Sequence, residues 1–384
     1  MNHAVILCGG LGTRLGTLTK KTPKPLLEVN GRPFIEYQIL NLARHGIKKI
    51  FLICSYKYNL FQKKYHKKKF LSSVVICIDE KSPRGTGGGL KLIQKKLDKK
   101  FLVLNGDTIF DINYLDLSIN FDSKKYACIA TTNKIGKRYG KLNTKKNIIN
   151  AGIYIFRKEI FKYFKSRIIS LEMDVFPKLL EKDKIQTIFY DSKKNNFLDI
   201  GIPSDFKKSH KKIKRYTTKP AVFLDRDGVI NEDLNYVYKK KDFKWRGGIF
   251  NFIKYLNDNG YYVFVITNQS GIGRGFYKKK DVEKLHLWAQ KKLAEKGAHV
   301  DEFFMAPYYE KNKKFSKKDY LMRKPNTGMI DLAKKKWSIK FDESILIGDQ
   351  LTDELLARKL KIKFYKVNNL INSDIQFKKI TKNI

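Results

Sequence analysis

The chain has 384 residues, 42% of them hydrophobic and 13% aromatic, enough to pack about two domains. Its formal net charge is +43. The excess is almost entirely lysine spread along both halves, with no zinc-finger, RNP or helix-turn-helix signature beside it, which argues against a specific nucleic-acid partner and for attraction of polyanionic substrates. There is no run of about 18 apolar residues and no signal-peptide pattern, so neither a membrane span nor export is expected. Cys8, Cys54, Cys77 and Cys128 stand at unrelated spacings, which fits core thiols in a reducing cytoplasm.

The first predicted strand, Ala4 to Leu7, runs into LCGGLGTRLGTLTKKTPKPLLEVNGRP, from Leu7 to Pro33. Gly9, Gly10 and Gly12 allow a tight turn whose amide groups converge on an anion. Arg14 adds a fork of donors suited to phosphate, and Lys24 adds a compact charge between two prolines. A triphosphate site is expected there. A helix from Pro33 to about His45 follows, then strands at 50–54, 74–78 and 102–107, with the glycine-rich loop containing Gly85 and Gly87 between the last two. This alternation predicts an α/β fold with a mostly parallel, doubly wound sheet, whose ligand lies at the carboxyl ends of the strands. Asp107 ends one such strand and Asp199 another, so the pair is expected to hold Mg²⁺ against phosphate oxygens. Each read singly is also an ordinary strand-end acid. Glu172 opens a helix, where it either accepts from sugar hydroxyls or simply favours the helix dipole.

The segments GGLGTRLGTLTKKTPKPLLEVNGRP, GTGGG, NGD, NAGIY, SLEMD and DIGIPSDF resemble, in this order, those of sugar-1-phosphate nucleotidyltransferases, in particular the heptose-1-phosphate guanylyltransferases, over residues 1–213. The resemblance implies that Gly9, Gly10, Gly12 and Arg14 hold the nucleotide and Lys24 the reacting phosphates. It places Gly85 and Gly87 near base or sugar, Asn150 and Glu172 on the sugar, and Asp107 with Asp199 on Mg²⁺. The reaction implied is attack of a sugar phosphate on the α-phosphorus with release of pyrophosphate. Family members carry a further strand ending in Glu-Lys-Pro before NAGIY. Here RYGKLNTKKN, 138–147, runs almost directly into Asn150, leaving Lys145 or Lys146 as substitutes for the missing lysine.

The basic tract from Lys207 to Lys219 reads as a connector, with 214–219 as the linker proper and a second α/β domain over 220–384. AVFLDRDGVIN, 221–231, is a strand delivering Asp225 and Asp227, two carboxylates at the spacing that points both the same way. One can attack phosphorus while the other moves protons. A second strand ends in Thr267 and Asn268, Lys324 lies in RKPNTGM, and a third strand ends in Asp349, with Asp353 one helical turn on.

This set resembles the haloacid-dehalogenase phosphatase superfamily, and within it the heptose-bisphosphate phosphatases and their histidinol-phosphate relatives. The resemblance implies Asp225 as nucleophile and Asp227 as general acid and base, with Thr267 and Lys324 on the phosphoryl group. Mg²⁺ falls to Asp225, Asp227 and Asp349, with Asp353 in support, while Asn268, Arg274 and Arg323 fall to substrate. The zinc-binding cysteines and histidine common in those relatives are replaced by Ala306, Tyr308, Tyr320 and Met322, so no zinc is expected and the loop 308–320 must rest on aromatic packing or move.

Joined on one chain, the halves imply a cytoplasmic enzyme making an NDP-heptose, with GTP as nucleotide, for surface polysaccharide. Alternatives are a histidinol-phosphate phosphatase joined to a uridylyl- or thymidylyltransferase, or to a first half that only binds. Homo-oligomerisation is left open.

Overall fold

The computed structural model describes residues 1–133, 141–143 as backbone, 148–368 and 371–384, in two units, Met1–Tyr216 and Thr217–Ile384. In the first, the strands His3–Leu7, Lys49–Cys54, Ser73–Asp79 and Lys100–Asn105 pair in parallel, with His3–Leu7 between Lys49–Cys54 and Lys100–Asn105. The long strand Ile148–Arg157 joins antiparallel to Lys100–Asn105 and to Ala127–Asn133.

Alternation along these strands builds two cores. Ala4, Ile6, Leu52, Leu104 and Ile153 face Ile35, Ile39 and Leu42 of the helix Phe34–Arg44. Val5, Phe51, Val103 and Tyr154 face Leu90, Leu171, Val175 and Leu179 on the other side. A period of two sends neighbouring residues to opposite faces, so each strand needs a near-continuous apolar run, and the sheet is wound on both sides.

The second unit repeats the principle with five parallel strands, in the order Glu302–Ala306, Tyr262–Asn268, Ala221–Leu224, Ile345–Gly348, Lys363–Lys366. Val222, Leu224, Val263 and Val265 pack on Ile253, Leu256 and Leu285, whereas Phe223, Phe264 and Leu346 pack on Ile330, Ala333 and Leu356. In both units the parallel strands bring their carboxyl ends to one edge, which fixes where chemistry can sit.

The basic tract differs from the expected connector. It is helical through Thr217, as part of Pro203–Thr217. Ser209, Ile213 and Tyr216 are buried on one face, the last two in a small core with Val29, Phe34, Ile109 and Leu198. Three buried positions at helical spacing suffice to dock it, and the lysines occupy the outer face. No helix among the described residues is long and apolar enough to cross a membrane.

Candidate functional sites

In the first unit the strand ends enclose a cavity of about 380 Å³, lined by Gly9, Gly10, Lys24, Glu80, Arg84, Gly85, Thr86 and Asp107 among others. Arg14 stands exposed on the turn Thr13–Leu15, and neither it nor Gly12 belongs to the cavity wall. The Lys24 ammonium lies 2.9 Å from Asp107 Oδ2. Strand Phe197–Asp199 pairs antiparallel with Thr108–Phe110, placing Asp199 opposite Thr108. Thr108 Oγ1 consequently donates toward both carboxylates, at 3.3 Å to Asp107 Oδ1 and 3.5 Å to Asp199 Oδ2. The two acids, 92 positions apart in sequence, meet at one hydroxyl.

The glycine loop is fastened to the segment before Glu172. Gly87 N–H donates to Ile169 O at 2.8 Å, and Ile169 N–H donates to Arg84 O at 2.8 Å. Gly85 has φ +73°, and a Cβ there would lie 2.4 Å from Ile169 O, so only glycine fits the strap. Gly85→Ala is expected to raise KM for the nucleotide at least about tenfold, a loss read by initial-rate titration.

Glu172 is tied to the cavity wall by hydroxyls that sequence reading missed. Thr86 Oγ1 donates to its Oε2 at 3.2 Å and Tyr154 OH to its Oε1 at 3.3 Å, while Asn150 Nδ2 donates to that same tyrosine oxygen at 2.9 Å. Burial and then Glu172 push the Tyr154 hydroxyl pKa up, so it remains a proton donor. Glu80, also missed, is buried on the wall, with Oε1 accepting from Arg84 N–H at 3.2 Å; burial raises its pKa against that bond. The stretch 134–140 and Lys145 and Lys146 lie outside the described residues.

In the second unit a cavity of about 380 Å³ opens at the strand ends and is lined by Asp225, Asp227, Thr267, Asn268, Gln269, Arg323 and Lys324 among others. Lys324 is buried and bridges two acids, with Nζ 2.8 Å from Asp225 Oδ2 and 2.7 Å from Asp353 Oδ1. Burial opposes its charge, but Asp225 and Asp353 outweigh burial and its pKa rises. The Asp225 carboxyl is pushed up to about 8, chiefly by burial, with Lys324 pulling it down and Asp353 pushing it further up.

Asp225, Asp349 and Asp353 each offer an oxygen within 4.8 Å of the others. Such a cluster of hard donors fits Mg²⁺. Its membership differs from the sequence expectation. Asp353 joins it, whereas both oxygens of Asp227 are taken by other partners: Arg226 at 2.8 to 3.2 Å, Asn231 Nδ2 at 2.9 Å and Gln269 Nε2 at 3.1 Å. Arg226 is fully buried, and its Nη1 faces His286 Nε2 at 3.4 Å. Burial, then Arg226, holds the histidine pKa well below its usual value.

Asn268, on the cavity wall, spends its amide on the Lys324 backbone. Its Oδ1 accepts from Lys324 N–H at 3.0 Å and its Nδ2 donates to Lys324 O at 3.3 Å, which fixes the lysine. Arg323 has a buried Nη1 without a hydrogen-bond partner, and burial followed by Arg274 lowers its pKa. Arg274 stacks 4.0 Å over Tyr309. These two cations near each other ask for an anion. The loop that lacks zinc ligands is pinned by rings: Tyr308 packs edge-on against Tyr320 at 5.3 Å and Phe315 at 6.2 Å.

Residues 3–216 match the Nucleotidyl transferase family, and residues 222–382 match the Polynucleotide kinase 3 phosphatase family. A D-glycero-alpha-D-manno-heptose 1-phosphate guanylyltransferase of Campylobacter jejuni is 36% identical over 223 residues, covering 53% of this chain and 96% of the relative. A D-glycero-alpha-D-manno-heptose-1,7-bisphosphate 7-phosphatase of Photorhabdus laumondii is 42% identical over 146 residues, covering 38% of this chain and 76% of the relative. The crystal structure of HddC from Yersinia pseudotuberculosis is 32% identical with a TM-score of 0.48, covering 56% of this chain and 100% of its own. The chain therefore belongs to the nucleotidyl transferase family through its first half, and its second half is a phosphatase of the haloacid-dehalogenase type.

Proposed function

We propose that the chain catalyses two consecutive steps of NDP-heptose synthesis. The second unit removes the 7-phosphate of D-glycero-D-manno-heptose 1,7-bisphosphate, and the first transfers guanylyl from GTP to the resulting 1-phosphate. The observation that carries this reading is the pairing itself: the product of the reaction named for one relative is the kind of substrate named for the other. Nucleoside triphosphate supply would place the work in the cytoplasm.

In the phosphatase reading, an Asp225 oxygen attacks phosphorus as the bond from phosphorus to the sugar oxygen breaks, and Asp227 gives that oxygen its proton. Water then attacks the aspartyl-phosphate, Asp227 takes the proton, and Asp225 is regenerated with inorganic phosphate. Thr267 and Lys324 hold the transferring oxygens, and Arg274 and Arg323 hold the phosphate that stays. Mg²⁺ held by Asp225, Asp349 and Asp353 would offset the repulsion between carboxylate and phosphate. Asp107 and Asp199 are the corresponding ligands proposed in the first unit. There, one oxygen of the sugar phosphate attacks the α-phosphorus and pyrophosphate leaves, with Lys24 and the backbone of Gly9 and Gly10 gripping the phosphates at the cavity wall and Gly12 and Arg14 reaching them from the exposed turn beside it. Asn150 and Glu172 hold the sugar.

Glu80 supports GTP. A carboxylate accepts from the adjacent N1–H and N2–H₂ of guanine, whereas uracil and thymine offer one donor between two acceptors. Glu80→Gln is expected to lower the GTP-to-UTP ratio of kcat/KM by about 10²-fold. The test of the whole reading supplies each anomer of the bisphosphate, Mg²⁺ and one of GTP, UTP, CTP, dTTP or ATP. Phosphate and pyrophosphate are followed separately. Phosphate first and pyrophosphate with GTP supports it. No phosphate from either anomer removes the first step, and no pyrophosphate with any nucleotide removes the second.

A further inference from the structure

The position after the second strand of the phosphatase unit is occupied by Gln269, 2% exposed, whose N–H donates to Ala306 O on the neighbouring strand at 2.8 Å. Its Nε2 reaches two groups at once, Thr267 Oγ1 at 2.9 Å and Asp227 Oδ2 at 3.1 Å. Its Oε1 accepts from Tyr277 OH at 2.8 Å. Reversing the amide would set Oε1 against the Asp227 carboxylate and leave the tyrosine proton facing N–H groups, so one orientation alone is compatible with all three neighbours.

We propose that Gln269 is a positioning residue for the phosphatase reaction, its amide aiming both the Asp227 carboxylate and the Thr267 hydroxyl, with Tyr277 fixing which way that amide faces. This rests on the reading of Asp227 as the proton-transfer group. Asp227 Oδ1 accepts from Arg226 Nε, Arg226 Nη2 and Asn231 Nδ2 at 3.2, 2.9 and 2.9 Å, a full set for one oxygen. Oδ2 accepts from only two donors, Arg226 Nη2 at 2.8 Å and Gln269 at the longer 3.1 Å, so Oδ2 is the less crowded oxygen and takes the exchanging proton as the longer contact with Gln269 yields. Thr267 accepts from the same amide and therefore turns its own O–H elsewhere, as a donor to a phosphoryl oxygen.

The supporting layer is built for this. A Cβ on Gly271 would lie 2.4 Å from Tyr277 Cε1, so glycine admits the ring, and Tyr238 stacks on that ring at 4.7 Å. Among the described residues the Tyr277 hydroxyl has no other hydrogen-bond partner, and burial pushes it up to about 12, keeping it a donor.

The test compares two leaving groups. A sugar alkoxide needs the proton of Asp227 as its bond to phosphorus breaks, whereas nitrophenolate leaves without one. Asp227→Asn, Gln269→Leu and Tyr277→Phe are each assayed on the heptose bisphosphate and on p-nitrophenyl phosphate, with thermal melting as a control. Gln269→Leu is expected to lower kcat on the bisphosphate by about 10²-fold and on nitrophenyl phosphate by less than about tenfold, following the pattern of Asp227→Asn. Tyr277→Phe, the milder change, is expected to show the same bias at about tenfold. Equal losses on both substrates for Gln269→Leu and Tyr277→Phe, with the bias kept in Asp227→Asn, would overturn the role of Gln269. Absence of the bias in Asp227→Asn would overturn the reading of Asp227, and the inference with it.

Discussion

Asp225→Asn protein is expected to release no measurable phosphate from the heptose bisphosphate, a loss of at least about 10³-fold in kcat, while forming pyrophosphate from heptose 1-phosphate and GTP at the wild-type rate. An amide cannot form the acyl-phosphate, and the neighbouring carboxylates are engaged elsewhere: Asp353 with Lys324, Asp349 with Gln350 Nε2, and Asp227 with Arg226. The same substitution should change stability in a way that depends on pH. Burial raises the folded-state pKa of Asp225 to about 8, well above the roughly 4 of an unfolded aspartate. The folded protein therefore holds a proton that the unfolded chain has lost, and this acid subtracts stability progressively as pH rises from about 4 to about 8. Without divalent cation, the asparagine variant should melt above wild type at pH 8 and match it near pH 4. Mg²⁺ should stabilise wild type more than the variant. Calorimetry at the two pH values checks this. A variant that melts below wild type at pH 8 in chelator would mean that Lys324 depends on Asp225 more than the carboxylates repel one another.

What could be read from the sequence was whatever depends on a strand and its end. An apolar run followed by Asp225, Thr267 or Asp349 says that the group stands at the carboxyl edge of a parallel sheet, and the sheet does the rest. The meeting of Asp107 with Asp199 needed one more step, an antiparallel pair of three-residue strands, too short to announce its register. Orientation was not legible. Asn268 and Gln269 are adjacent amides at a strand end, yet one holds the Lys324 backbone and the other holds Asp227 and Thr267. Which does which follows from the alternation of sides at that strand end and from Tyr277, eight positions away, which the Gly271 turn admits. The helix Pro203–Thr217 was hidden for a different reason: its lysines outnumber its three buried positions, so composition masks a face that only Ser209, Ile213 and Tyr216 define.

Lys24→Ala is expected to lower kcat for pyrophosphate release by about 10³-fold, with phosphate release from the bisphosphate unchanged. Magnitudes separate this from a structural effect. The Lys24–Asp107 pair is partly exposed, at 15% and 30% of the side chains, and such a pair contributes at most about 1 kcal/mol to folding. A shift of that size cannot produce a thousandfold loss in a protein that remains folded. A loss of that size would mean that the lysine acts on charge that appears during transfer; its place between Pro23 and Pro25, on a turn opening onto the cavity with Gly9 and Gly10, sets it at the wall before a nucleotide arrives. Asp107→Asn should give a similar loss with a different signature. If Asp107 serves Mg²⁺, the variant's activity should recover in part as the concentration of divalent cation is raised, whereas that of Lys24→Ala should not. Recovery of both variants by cation would mean that the pair acts as one electrostatic unit. Pyrophosphate release by Lys24→Ala within about tenfold of wild type would move the phosphate grip to Arg84, which also lines the cavity.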